Sequence, residues 1–167
     1  MRRLDLLIFP DFQILDVAGP IAAFEIAARI VPGAYELHLA ALEPGPVASS
    51  SGVMLLAEPL SDAPLDTVMA AGGDGTRQAK DCPATQDWLR AASARARRTT
   101  SICSGAFLLA EAGLLDGRRA TTHWSRSADF ARRYPAVTLE PDRIYVRDGD
   151  VWTSAGITAG IDLSLAL

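Results

Sequence analysis

The sequence predicts a three-layer α/β domain with a mainly parallel sheet and small antiparallel additions. Three observations carry this. Short apolar runs alternate with segments of helical period. The runs Leu4–Phe9 and Asp66–Ala71 are continuously apolar enough to be buried on both faces, as parallel strands are. A length of 167 residues fits one domain.

The elements follow in order. Leu4–Phe9, bounded by Pro10-Asp11, is the first strand. Asp16–Ile30 carries Ile21, Phe24 and Ala28 at helical spacing and is entered through Gly19-Pro20. Tyr35–Ala41 is a second strand. Val47–Ser50 and Val53–Leu56 flank Ser51-Gly52 as a small hairpin. Asp66–Ala71 is a buried strand ending in Gly72-Gly73-Asp74-Gly75. Asp81–Arg98 is a helix whose Arg90, Arg95, Arg97 and Arg98 form a solvated face. Thr99–Ile102 is a short strand leading to Cys103-Ser104-Gly105, and the apolar helix Ala106–Ala110 is stopped by Gly113. Arg119–Thr122 is a strand, and Ser125 caps a helix running to Arg133. Asp148-Gly149-Asp150 joins Arg143–Arg147 to Val151–Thr153 as a hairpin. A last helix begins near Ile157.

Composition excludes several classes. Lys and Arg number 16 against 20 Asp and Glu, a net charge of −4, so this segment has no counterion-release term with which to hold DNA. No apolar run is long enough to span a membrane, and the N-terminal apolar stretch is too short for a signal-peptide core and is interrupted by Asp5. Two cysteines make no disulfide framework, so a reduced, cytoplasmic setting is the default. No metal site is predicted, because CxxC, HxxxH and clustered carboxylates are lacking. No cofactor is predicted either, since no GxGxxG or P-loop occurs.

In such sheets ligands sit outside the carboxyl ends of the strands. The post-strand segments there carry Asp16, Gly72-Gly73, Cys103-Ser104-Gly105, His123 and Ala155-Gly156-Ile157. Cys103 stands where a strand turns into a helix with Ser-Gly behind it, the layout of a nucleophile elbow. A helix N-terminus there favours a thiolate. A buried structural cysteine is the alternative. Asp16 accepts a hydrogen bond near the thiol or acts as general acid/base, or else only caps its helix. Gly72 and Gly73 let backbone N–H groups approach a ligand as oxyanion-type donors, or form a plain loop. His123 either activates the thiol or is a packed, hydrogen-bonded histidine. His38 reads as structural, and Cys82, at the start of a helix, as a surface position without a partner.

Five stretches together resemble the ThiJ/PfpI (class I glutamine amidotransferase-like) superfamily. They are Leu15–Pro20, Ala71–Gly75, Ile102–Ala110, Gly113–Trp124 and Gly156–Asp162. The last two are similar to the branch holding isocyanide hydratases and the N-terminal domains of AraC-type regulators. The resemblance implies a flavodoxin-like sandwich, a homodimer, an elbow cysteine at Cys103 and an acidic neighbour at Asp16. It implies a small-molecule effector or substrate held by Gly72, Gly73, Ser104, Gly105 and Ile157. Peptidase-like members place His directly after the cysteine, where this chain has Ser104. Amidotransferases use a late His-x-Glu, whereas His123 is followed by Trp124-Ser125. The hydratases commonly carry Thr after the cysteine, and Ser104 keeps the hydroxyl.

The helix from Gly156 to Leu167 reaches the chain end without a C-cap glycine, a basic last turn or a proline. The expectation is a single domain over 1–167, cut within its last helix, from a regulator whose helix-turn-helix domain is absent. DNA would then be touched only through that missing part. Function is therefore expected as a ligand-sensing, dimerising domain of an AraC-family regulator. The alternatives are a cysteine-dependent isocyanide hydratase and a redox-responsive relative in which Cys103 oxidises.

Overall fold

The computed structural model describes residues 1–167. The elements are β1 (Arg2–Leu7), α1 (Ile14–Ile30), β2 (Tyr35–Ala41), β3 (Gly45–Ala48), β4 (Met54–Pro59), β5 (Thr67–Ala70), α2 (Thr76–Ala79), α3 (Pro83–Arg95), β6 (Arg98–Ser101), α4 (Ala106–Glu111), β7 (Arg119–Ala120), α5 (Ser127–Arg133), β8 (Thr138–Leu139), β9 (Tyr145–Asp148), β10 (Val151–Ser154) and α6 (Ala159–Ala166). Eight strands form one sheet in the order β3-β4-β2-β1-β5-β6-β10-β9. Its centre is parallel: β1 pairs β2 and β5, β5 pairs β6, and β6 pairs β10. Antiparallel β3–β4 and β9–β10 close the two edges.

Leu4–Leu7 and Thr67–Ala70 are buried throughout, so both faces of the central strands are covered, as a parallel sheet requires. Helices α1 and α6 pack on each other, and α3 packs on α4. Phe107 packs edge-on against Phe130 and Tyr134, with ring centroids 5.0 Å apart for Phe107–Phe130, and ties α4 to α5. No helix is long and apolar enough to cross a membrane.

The structure departs from the sequence reading at four places. Helix α1 starts at Ile14, so Pro20 lies inside it instead of opening it. Pro20 has no N–H to bond the Asp16 carbonyl, and its ring crowds that carbonyl, so the first turns of α1 are held by packing and not by propensity. Helix α3 ends at Arg95, and Arg98 belongs to β6, where it is 4% exposed. Its guanidinium bonds Thr67 Oγ1 at 3.0 Å, Asp66 Oδ2 at 3.3 Å and the Leu167 carbonyl. Arg95 turns its Nη2 to the Ser61 carbonyl at 2.6 Å, so only Arg90 and Arg97 stay exposed. The expected strand Arg119–Thr122 shortens to β7, which pairs with β8 in a separate two-stranded sheet. Ser125 does not cap the next helix. A 3-10 turn, Trp124–Arg126, precedes α5, and His123 caps that turn by accepting the Ser125 N–H.

Candidate functional site

The carboxyl ends of β5, β6 and β10 meet at Cys103. β6 ends at Ser101, and Cys103 opens the 3-10 turn Cys103–Gly105 that leads into α4. Its φ is 56°, a left-handed conformation that a non-glycine residue adopts at a cost of about 1–3 kcal/mol. Three bonds hold it there. The Cys103 N–H donates to the Ala155 carbonyl at 3.2 Å, Thr122 Oγ1 donates to the Cys103 carbonyl at 2.9 Å, and the Gly105 N–H donates to the Ile102 carbonyl at 2.8 Å. Gly105 has to be glycine, since a Cβ there would meet the Ala71 carbonyl oxygen at 2.8 Å and that of Ala70 closer still. Ile157 also has φ 56°, an outlier for a β-branched residue, and it holds its backbone N–H toward both Asp16 and Cys103.

Asp16, in the first turn of α1, is fully buried beside the thiol. Gly72 N–H donates to its Oδ2 at 3.1 Å, and Oδ1 has no hydrogen-bond partner. A Cβ on Gly72 would lie 2.6 Å from Asp16 Oδ2 and 2.7 Å from the Cys103 Cβ, so the glycine is what lets carboxyl and thiol share this space. Burial pushes the Asp16 carboxyl up to about 7, against the opposing pull of the Cys103 thiol and the Gly72 and Ile157 N–H groups. Burial first, and the Asp16 charge second, push the Cys103 thiol up to about 12. The thiolate expected from the helix N-terminus is therefore not what this environment favours. At 7% exposure, desolvation outweighs the N–H groups. Near neutral pH the pair carries at most one negative charge, and the thiol keeps its proton.

The N–H groups expected as oxyanion donors are committed elsewhere. Gly72 serves Asp16, and Gly73 N–H donates to Ser104 Oγ at 2.9 Å. Thr76 Oγ1 donates to the Gly73 carbonyl at 2.7 Å, which completes a network tying β5's loop to the cysteine turn. His123 lines the same cavity but faces Ser125. Its Nδ1 accepts the Ser125 N–H at 3.2 Å and pairs with Ser125 Oγ at 2.8 Å. The ring lies over Gly156, where a Cβ would come within 2.8 Å of Nε2. Burial, and then the charge of Arg126, lower the pKa of His123, which disfavours the imidazolium, and its Nδ1 is turned to Ser125 and not to the thiol. The cavity over Cys103 is about 150 Å³ and is also lined by Gln13, Ser50, Asp74, Ser104, Arg126 and Ile157. Gln13, Ser50, Asp74 and Arg126 were not singled out from sequence. Ser50 and Gln13 reach the site through a bridge between Phe12 and Ser49 that no local pattern announces.

A larger apolar cavity of about 460 Å³ lies over β1 and β2, beside α2 and Cys82. It contains none of the convergent polar groups above. Cys82 occupies the N-cap position of α3 without a side-chain cap bond and is half-buried, and the nearby Thr85 hydroxyl and backbone N–H lower its thiol pKa. His38, in β2, bonds Glu58 at 2.9 Å, a structural role.

A mostly parallel α/β sandwich with a strained cysteine at a strand end and a buried carboxyl beside it defines the class of this domain. The chain belongs to the DJ-1/PfpI family, whose profile matches residues 2–167. It is 38% identical over 167 residues to the isonitrile hydratase of Pseudomonas putida, covering 99% of this chain and 70% of that one. It is 35% identical over 165 residues to the HTH-type transcriptional regulator CdhR of Pseudomonas aeruginosa, covering 96% of this chain and 48% of the regulator. It is 31% identical over 172 residues to the HTH-type regulator GlxA of Rhizobium meliloti, spanning 100% of this chain and 52% of that protein. The chain thus spans about half the length of these regulators. Among solved structures it superposes on a ThiJ/PfpI family protein of Pseudomonas syringae with a TM-score of 0.88 at 31% identity, covering 99% of this chain and 66% of that one. An AraC family regulator of Pseudomonas putida shares the fold, with a TM-score of 0.89 at 22% identity over 99% of this chain and 90% of that one.

Proposed function

We propose that this domain senses a small molecule for a transcriptional regulator of the AraC type, with the Cys103 cavity as the effector site. The observation that carries this reading is the electrostatics of the pair. A thiol pushed up to about 12 beside a buried carboxyl is a poor nucleophile at neutral pH, while the cavity above it remains a shaped, polar-lined recess. The match to about half of each regulator supports the same reading. Homodimerisation belongs to it. Val53, Met54 and Leu56 leave an exposed apolar strip at the β3–β4 hairpin for a second copy to cover. In this reading DNA contact falls to another domain of the parent protein, and the setting is cytoplasmic.

A second reading is a hydratase acting on isocyanides. The strained Cys103, held in a nucleophile elbow beside Asp16, favours it. In that reaction the Cys103 sulfur bonds to the isocyanide carbon, and the thiol proton passes through Asp16 to the same carbon, giving a thioimidate. Water then adds to that carbon. The carbon–sulfur bond breaks, the thiol recovers a proton, and an N-formamide leaves.

Formamide production from cyclohexyl isocyanide, compared between the wild-type chain and Cys103→Ala, separates the two. The sensor reading expects equal, background rates. Turnover that disappears in Cys103→Ala overturns it in favour of the enzyme.

A further inference from the structure

Arg126 closes the 3-10 turn after His123, and its guanidinium lies over the Phe107 ring at 5.3 Å. It borders two recesses. One is the Cys103 cavity; the other is an adjoining cleft of about 500 Å³ whose wall includes Thr76, Arg77, Lys80 and Arg133. Thr76 stands between them, with its Oγ1 3.3 Å from Ser104 Oγ. The cleft is cationic even after its own acids are counted. Lys80 pairs with Asp81, and Arg133 with Asp129 at 2.9 Å, whereas Arg77 and Arg126 have no carboxylate within ion-pair distance. The one acid on the rim of the Cys103 cavity, Asp74, is exposed. A guanidinium held on an aromatic face and left without a carboxylate presents its planar fork to a ligand, the geometry that recognises oxyanions.

We propose that the two recesses form one extended site, and that its ligand carries an anionic oxygen group, a carboxylate or a phosphate, seated on Arg126 with Arg77 beyond it. This rests on the reading that the Cys103 cavity holds a small ligand. It adds the class of that ligand: a compact head over Cys103 and an anionic arm in the basic cleft. Together the recesses fall within the ~300–1,000 Å³ usual for small-molecule sites.

Thermal unfolding tests this with succinate, inorganic phosphate and neutral succinamide at matched ionic strength, on wild type, Arg126→Gln and Arg126→Lys. Each variant is compared with its own ligand-free midpoint, because these anions stabilise proteins generally. The expected result is a saturable rise of about 2–4 °C in wild type with succinate or phosphate. The rise should be absent with succinamide, lost in Arg126→Gln and partly kept in Arg126→Lys. The stronger of the two anions identifies the arm. Equal rises in wild type and Arg126→Gln, or no saturable rise with either anion, overturn the proposal. Isocyanide turnover would remove the sensor reading without touching this comparison, so the two fail separately.

Discussion

Gly72 donates its backbone N–H to Asp16 Oδ2 at 3.1 Å, across 56 positions of sequence. The absent Cβ of the same glycine leaves room for the Cys103 Cβ. Gly72→Ala forces Asp16, Cys103 and the Ser104 backbone apart, since a Cβ would lie 2.6–2.8 Å from each. The expected cost is about 2 kcal/mol in urea unfolding, with loss of ligand-induced stabilisation. Gly117→Ala, where a Cβ meets nothing within 4 Å but φ is 72°, isolates backbone strain alone as the comparison.

Asp16→Asn tests the buried carboxyl through pH. The folded pKa of about 7 lies above the ordinary 3.8, so ionisation is disfavoured in the native state. Stability from this group is full below pH 4 and is lost as pH rises to about 7, in all about 4 kcal/mol. Asparagine removes that slope. The stability gain of Asp16→Asn over wild type should grow between about pH 4 and 7 and then level off, as read by urea unfolding at stepped pH. A gain independent of pH would show that Asp16 is not the titrating group.

The two cysteines should react in an order opposite to the one their sequence positions suggest. The Cys82 thiol pKa is lowered by Thr85, and the residue is half-buried, while the Cys103 thiol is pushed up to about 12 and nearly enclosed. At neutral pH, iodoacetamide should label Cys82 at least about thirty-fold faster than Cys103, followed by peptide mass spectrometry. Faster labelling of Cys103 would return weight to the enzyme and redox readings.

Arg97 and Arg98 both pair with Asp66, but only Arg98 is buried. Arg98→Ala should cost about 3 kcal/mol, because Thr67 and the Leu167 carbonyl lose a buried donor as well as Asp66 its ion pair. Arg97→Ala should cost under about 1 kcal/mol, as exposed pairs do. Denaturation midpoints of the two variants, side by side, measure the difference.

That contrast also shows where the sequence stops being informative. Apolar runs place β1 and β5 closely, because burial on two faces leaves a local signature, while alternation places β2 and turn residues place both hairpins. Arg98 reads like its helical neighbours, and only its pairing with Thr67 of β5 reveals it as a strand residue. Asp16, Gly72, Cys103 and Ile157 were legible as post-strand positions. The high pKa values of the first and third were not, since desolvation depends on what the whole fold stacks around them. Arg126 left no sequence signal at all. The role proposed for it rests on the carboxylates it lacks and on its seat over Phe107.

A carbon-13 NMR titration of the Asp16 carboxyl and the Cys103 Cβ in the same sample reads directly which of the two groups holds the proton. Asp16 should titrate near pH 7 while Cys103 keeps its proton until well above pH 10. A Cys103 that loses its proton first, with Asp16 still neutral above about pH 8, would contradict this order and make the thiolate the resting state of the site.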